Sequence, residues 1–391
     1  MTTSQFDVII LGAGAAGLMC AMTAGGRGKR VLLLDNADEA GKKILISGGG
    51  RCNFTNLGCT AERFISANRH FAKSALSRYT QHDFLALVNK HNIAHHEKTL
   101  GQLFCDGSAR EIVAMLLAEC AAAHVDLRLG HRVTAVSRGD AFRVETDHGA
   151  FEADALVLAT GSLSIPKMGA TGFAHDIARQ FGLRLTEIRP GLVPLTFTGD
   201  ALELMRPLSG VALPVIARCG KAAFPEAMLF THRGLSGPAI LQISSLWREG
   251  TEIVLDCLPG QNAEAELRAR KQSRPRIEFK TALSELLPQR LAASLAEGET
   301  RTMANLPDRV LTDMAGRLQS WRLKPAGTEG YAKAEVTLGG IDTRDLSQQT
   351  MVANAVPGLF AIGEAVDVTG WLGGYNFQWA WSSGWCAGMA V

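Results

Sequence analysis

Nothing in the 391 residues approaches the roughly 18 to 20 uninterrupted apolar residues of a membrane-spanning helix. The chain therefore carries no signal for membrane residence. Eight cysteines are present, Cys20, Cys52, Cys59, Cys105, Cys120, Cys219, Cys257 and Cys386, but no two form a CxxC pair. That spacing argues against a zinc site or a dithiol redox centre, and the cysteines read as free thiols in a reducing cytosol. The net charge is only +2, too small to mark a nucleic-acid binder or a membrane-surface protein from bulk charge. With 47% hydrophobic and 20% charged residues the composition is that of an ordinary globular protein, so collagenous and disordered classes fall away. No internal repeat or low-complexity tract is present. A strand beginning near residue 6 leaves no room for a cleavable signal peptide, and a cytoplasmic location is expected.

What is present begins with Asp7-Val8-Ile9-Ile10-Leu11, an apolar run that stops at Gly12-Ala13-Gly14-Ala15-Ala16-Gly17 and gives way to helical periodicity. A second apolar run, Val31 to Leu34, ends in Asp35. This is a βαβ unit with a G-x-G-x-x-G turn. In such a turn the first glycine permits the tight bend, the second lets backbone approach a pyrophosphate, and the third allows close helix packing. Gly12, Gly14, Ala15 and Ala16 would then present a helix amino terminus to phosphate, with Asp35 placed to accept from a ribose hydroxyl.

Residues 75 to 125 read as helices broken by a loop at Thr99 to Gly107, and residues 125 to 160 as short strands closing at Thr160-Gly161. From about 190, Pro190, Pro194, Pro207 and Pro214 punctuate β-like runs. Residues 262 to 324 are polar and helical in pattern. The chain ends with a strand running into Gly363-Glu364 and a helix introduced by Gly373-Gly374-Tyr375-Asn376. The domain that opens the chain is thus finished by its last helix. The expected division is 1–190 with 335–391, a β-rich unit at 191–261 with 325–334, and a helical insertion at 262–324.

NAD and FAD share the fingerprint, so other residues must separate them. Gly41 to Asn56 reads as a long loop in which Gly48, Gly49 and Gly50 are flanked by Lys42, Lys43 and Arg51, a pattern suited to an anion-binding nest. The final helix is placed to aim its positive end at the pyrimidine edge of a flavin. No second G-x-G-x-x-G follows a strand. A dedicated nicotinamide domain is therefore not expected, and NAD(P)H enters only as a transient electron donor.

These segments, together with Leu229-Phe230-Thr231-His232-Arg233-Gly234-Leu235-Ser236-Gly237-Pro238, resemble the bacterial HI0933-like flavoprotein family over nearly the whole chain. The resemblance implies an α/β fold: a discontinuous Rossmann-type, glutathione-reductase-like FAD-binding domain carrying a β-rich and a helical insertion. It implies an FAD site built from Gly12, Gly14, Ala15, Ala16, Asp35, Lys43, Ser47, Gly49, Gly50, Arg51, Cys52, Asn53, Val133, Thr160, Gly161, Gly363, Glu364, Asp367, Gly374, Asn376 and Phe377. Leu100 to Asp106 and Trp371 to Trp381 resemble the branch that reduces a uridine of large-subunit (23S) ribosomal RNA to dihydrouridine.

That reaction needs hydride at C6 of the base and a proton at C5. Cys105 is the first candidate for the acid, with Cys52 behind it; each has an alternative reading as a small packed residue. His232 and Arg233 are candidates to donate to a base carbonyl or a phosphate. Trp371 is nominated to stack on a substrate ring, whereas Trp381 and Trp385, four apart, fit a packed helix face. Between residues 264 and 324 twelve basic side chains outnumber eight acidic ones. This directs the ribosomal RNA expectation to the helical insertion, although a solvated helix face explains the same excess. Two other functions stay open: a small-molecule flavin oxidase acting on an amine or amino ketone, and a flavin-carrying RNA-binding or assembly protein.

Overall fold

Val8 to Leu11 form the inner part of strand Ser4–Leu11, and each of these four side chains is at most 1% exposed. A strand apolar on both faces belongs inside a parallel sheet. It pairs in parallel with Val31–Leu34, which in turn pairs with Asp126–Arg128, and on its other side with Gly149–Leu158. The long strand Gly149–Leu158 changes partner along its length. Its first half runs antiparallel to Phe142–Thr146, and its last three residues run parallel to Leu359–Ala361. The end of the chain thereby returns to the sheet that its beginning started.

The computed structural model describes residues 4–391, and the chain divides into two units, Met1–Arg189 with Val336–Val391, and Pro190–Glu335. In the first unit, helix Ala15–Gly26 and the final helix Tyr375–Gly388 approach backbone to backbone. A Cβ at Gly384 would lie 2.5 Å from the Ala16 carbonyl oxygen, so only glycine permits this crossing. The tryptophans of the final helix anchor it. Trp379 donates its indole N–H to the Gly363 carbonyl at 2.9 Å and Trp381 to that of Phe54 at 2.8 Å. Trp381 also stacks on Phe84 with centroids 4.3 Å apart, and Trp385 stacks on Tyr79. Each buried ring removes a large apolar area from water while its one polar atom is paired.

Two local expectations are corrected. Thr99 to Gly107 is not simply a loop, because Gln102–Cys105 is the middle strand of a three-stranded antiparallel sheet with Asn53–Asn56 and His95–Glu97. Its partner strands supply the hydrogen bonds, and the short segment shows no alternation of its own. Likewise Gly41 to Asn56 is not one long loop: helix Lys42–Ile46 and strand Asn53–Asn56 flank the glycines.

The second unit is built on a seven-stranded antiparallel sheet, in the order Trp321–Leu323, Ile253–Asp256, Ala212–Cys219, Ala222–Thr231, Gly234–Ser236, Leu195–Thr196 and Gly327–Thr328. Helices Ala263–Ser273, Phe279–Ser284, Gln289–Leu295 and Asp308–Gln319 belong to the same unit. No helix among the described residues is long and apolar enough to cross a membrane.

Candidate functional site: a dinucleotide cradle and its polar floor

The first βα turn is shaped by close approach. Gly12 has φ +108°, and a Cβ there would lie 2.5 Å from the Ala159 carbonyl oxygen, at the end of the neighbouring strand. Helix Ala15–Gly26 starts just beyond, so its free amide groups and dipole face the turn. Asp35, at the end of the second strand, accepts from the Ala13 amide at 2.6 Å and the Ala37 amide at 2.8 Å. These two bonds hold the carboxylate beside the turn and leave lone pairs for a ribose hydroxyl.

Around this turn the backbone borders open space. Apart from the adjoining residues of the chain, no protein atom lies within 4 Å of a Cβ built at Gly14, Gly49 or Gly161. Gly48, Gly49, Gly50 and Cys52 all have positive φ, between 48° and 85°, the irregular backbone from which anion-binding nests are made. Ser162, which follows Gly161, is 3% exposed, yet its hydroxyl has no hydrogen-bond partner. This hydroxyl is available to a group bound beside the turn. Helix terminus, ribose carboxylate, nest and unpaired hydroxyl together fit an FAD.

The floor of the cradle carries charge. Glu364 accepts from the Lys43 ammonium at 2.5 Å, the Ser164 hydroxyl at 2.6 Å and the Thr337 amide at 2.8 Å. Lys43 also donates to Ser164 at 2.7 Å. Burial alone would push the Glu364 carboxyl up, but Lys43 and the two further donors hold it below the usual range. Asp367, accepting from the Ala67 amide at 2.9 Å, is pushed up by burial, with Asp342 adding to the shift. Of the cations flanking the glycines, Lys43 alone joins this network. Lys42 pairs instead with Asp38 at 2.6 Å, in the bend before the helix, and Arg51 is exposed.

The HI0933-like protein Rossmann domain matches residues 6–390. The chain belongs to this family. Two relatives span it almost end to end, both named ribosomal RNA dihydrouridine synthase. One, from Escherichia coli strain K12, is 50% identical over 98% of this chain and 97% of its own length. The other, from Haemophilus influenzae, is 45% identical over 99% of each. Among solved structures, a quinol-fumarate reductase with menaquinol molecules shares the fold, with a TM-score of 0.52 at 15% identity, over all of this chain and 71% of its own.

At the carboxyl-terminal end of this family's fold, the strand Asn53–Asn56 is stitched to the start of the final helix. Thr55 donates to Gln378 at 2.7 Å, and Asn56 donates to the carbonyls of Gly373 and Leu100 at 2.8 and 3.1 Å. Gly374 has φ +95°, and a Cβ there would lie 2.4 Å from the Thr55 carbonyl oxygen. Asn376 is engaged by its own chain, accepting from the Gly370 amide and donating to the Gly370 and Trp371 carbonyls, so it braces the approach to the helix. Phe377 stacks on Trp381 at 5.7 Å. Ser47 donates to the Ile44 carbonyl, and Asn53 lies 3.4 Å from Gln102 across the small sheet. Thr160 accepts from the Ala174 amide, and Gly363 donates to Ser383. Val133 begins the outer strand Val133–Arg138, paired with Thr146.

The candidates for catalysis fall in both units. Cys105 is fully buried in the core with Cys52, and its strand neighbour Phe104 takes the other face, against Gly48. Burial, followed by the nearby Glu111 and Asp106, pushes the Cys105 thiol up to about 12, and Cys52 likewise reaches about 12. Both stay protonated at neutral pH. His232 and Arg233 occupy the exposed turn of a hairpin in the second unit, with Arg233 3.9 Å from Glu329.

Sequence reasoning missed Ser162, Ser164 and Thr337. The two serines follow the Thr160-Gly161 turn, and two hydroxyls just after a strand whose last four residues are buried are the signal available there. Thr337 gave none, since its role rests on a backbone amide and a fold contact.

Proposed function

We propose that this protein is an FAD-dependent reductase that converts a uridine of large-subunit ribosomal RNA to dihydrouridine. The observation that carries the reading is the near end-to-end match to two proteins named ribosomal RNA dihydrouridine synthase, and a glycine turn and nest that fit a dinucleotide support it. When bound and reduced, FAD supplies the hydride for C6 of the base. NAD(P)H, as a transient donor, provides the reducing equivalents.

The rest falls to the chain's own side chains. Lys43, held by Glu364 and Ser164, would be one of the side chains that hold the cofactor, offering it an ammonium donor whose charge is balanced by Glu364. Asp35 and the amino terminus of the first helix hold the adenosine end. The proton for C5 requires a donor that is protonated at neutral pH, which the Cys105 thiol is, although burial, by pushing it up to about 12, makes it a weaker acid than a free thiol. Because its thiol faces the core, Cys105 acts only if substrate binding draws it toward the base. His232 and Arg233 are exposed donors for RNA carbonyl or phosphate oxygens.

The reading is tested by mass-spectrometric mapping of dihydrouridine in large-subunit ribosomal RNA from cells with and without the gene. One dihydrouridine should vanish in the deletion and return with the wild-type gene. RNA that is unchanged sinks the reading and favours a small-molecule oxidase, detectable as peroxide formation with amines. Within the reading, Cys105→Ala should keep FAD and slow single-turnover formation about 100-fold; unchanged turnover removes the thiol from the mechanism.

A further inference from the structure

A uridine in folded ribosomal RNA is stacked, and its C5–C6 edge cannot meet a cofactor until the base leaves the stack. An enzyme acting there needs something to fill the gap and something to hold the neighbouring base. The first unit presents both on one connected rim, which rests on the reading of the substrate given above.

Leu100 is the tip of the hairpin between strands His95–Glu97 and Gln102–Cys105, and it is 64% exposed, the highest exposure among the large apolar residues. Its φ is +54°. A γ-branched apolar residue gains nothing there from burial, and left-handed backbone disfavours it by roughly 1–2 kcal/mol. Strain of this kind persists where the surroundings impose it, and Asn56 does so by donating to the Leu100 carbonyl at 3.1 Å. The same Asn56 amide donates to Gly373, two residues beyond Trp371. The hairpin tip and the Trp371 segment are therefore held by one side chain.

Trp371 is set in place by the pairing of Thr369–Gly370 with Phe64–Ile65 and by its amide, which donates to the Arg63 carbonyl at 3.0 Å. The Arg63 guanidinium lies over the Trp371 ring at 5.5 Å and over Tyr375 at 5.6 Å, and it donates to the Tyr375 hydroxyl. In the hairpin's connection, Lys98 lies over Phe104 of strand Gln102–Cys105 at 5.3 Å, and Phe104 abuts Gly48 of the nest. Rings paired with cations are the elements from which sequence-tolerant base-stacking surfaces are made.

By contrast, the basic excess of residues 264–324 is mostly spent internally. Arg268, Arg270, Lys271, Arg274, Arg301, Arg309 and Arg322 each pair with a carboxylate, Arg290 donates to the carbonyls of Pro207 and Ser209, and Arg317 lies over Trp321. Only Arg276, Lys280 and Lys324 have no such partner among the described residues.

We propose that Leu100 is the wedge that occupies the place of the extruded uridine, and that Trp371 with Arg63 is the platform on which the adjacent base stacks. The test uses anaerobic, dithionite-reduced holoenzyme and two RNAs: an unmodified transcript of large-subunit ribosomal RNA, and a short single strand centred on the uridine that the mass-spectrometric mapping identifies. Leu100→Asn suits the left-handed backbone and so keeps the fold. It should lose about ten-fold or more in dihydrouridine formation on the transcript and almost nothing on the single strand, where no unstacking is required. Trp371→Ala should raise Kd for both RNAs by about 5- to 100-fold, and Trp371→Phe should restore most of it, with FAD content unchanged throughout. Wild-type kinetics for both Leu100→Asn and Trp371→Ala on the transcript overturn the rim alone. So does loss of binding confined to a triple alanine variant of Arg276, Lys280 and Lys324. Failure of the wild type to form dihydrouridine in either RNA overturns the substrate reading and the rim with it.

Discussion

Two charge networks in this protein look alike on paper and differ in what they do. In the first unit, Glu364 collects an ammonium, a hydroxyl and a backbone amide, and its side chain is 21% exposed. In the second, Arg268 bridges Glu264 and Asp308, and Lys271 joins Asp308, with side chains up to 57% exposed. The cations of the two networks are comparably exposed, Lys43 at 39% and Arg268 at 41%, and the difference lies in the carboxylates, since Glu364 is more sheltered than Glu264 and Asp308. A charge held by several fixed donors is positioned by the fold. Charges paired along helices chiefly keep a surface solvated, and counting them as an RNA footprint overlooks where their partners stand.

The sharpest way to break the first network is through the backbone that surrounds it. Gly50→Val places a β-branched residue at φ +85°, where the nest cannot keep its shape. We expect loss of bound FAD, read from the flavin absorbance of purified protein, and full retention of the yellow spectrum counts against the nest. Lys43→Met comes next. It leaves Glu364 without its cation and should lower stability at pH 7 by about 1–2 kcal/mol, discounted from the range for a fully buried pair because Lys43 is 39% exposed. It should also reverse a sign. In the wild type Glu364 is held below its ordinary 4.5, so its contribution is present above that pH and lost as pH falls. Without Lys43, burial dominates and raises the folded-state value, so stability should instead fall as pH rises through that region. Urea unfolding of both proteins between pH 4 and 7 reads the difference, and parallel pH profiles refute the assignment.

The contrast also shows which parts of the molecule a sequence exposes. The Gly12 to Gly17 turn, Asp35 and the final helix were legible because each is encoded by contiguous residues or by one fixed spacing. The strand Gln102–Cys105 was not, since what makes it a strand is Asn53–Asn56 beside it rather than any pattern within it. Ser164 and Thr337 escaped for the same reason: they matter through Glu364, which is remote in sequence and adjacent in the fold. Lys42 and Lys43 are indistinguishable as letters. One helical step turns the first to Asp38 and the second to the cradle.

A smaller effect probes the neighbourhood of the cradle floor. His175 is 2% exposed, and its Nε2 lies 3.2 Å from the Ala365 carbonyl, next to Glu364. Burial pushes it below its ordinary 6.5, and the Ala365 hydrogen bond, with Asp176 and Glu364, only partly opposes this. The unfolded chain therefore takes up a proton that the folded chain refuses, so stability should fall as pH drops below about 6.5, by at most about 1.4 kcal/mol per pH unit. His175→Gln should flatten that slope in urea unfolding between pH 5 and 7; a slope identical to that of the wild type moves its origin elsewhere.

The smallest effect belongs to the second network, and its smallness is the point. Arg268→Ala removes contacts to Glu264 and Asp308 at 2.8 Å each, yet all three groups are open to solvent, where ion pairs gain little over hydration. The melting temperature should barely move, and whatever shift appears at low ionic strength should shrink at about 1 M salt, where the screening length falls to about 3 Å, comparable to the pairs' own separation. A loss that survives high salt would mean that the Arg268 stem packs against the helices as a hydrophobic strut, and the two networks would then differ less in burial than the exposure of their charged ends implies.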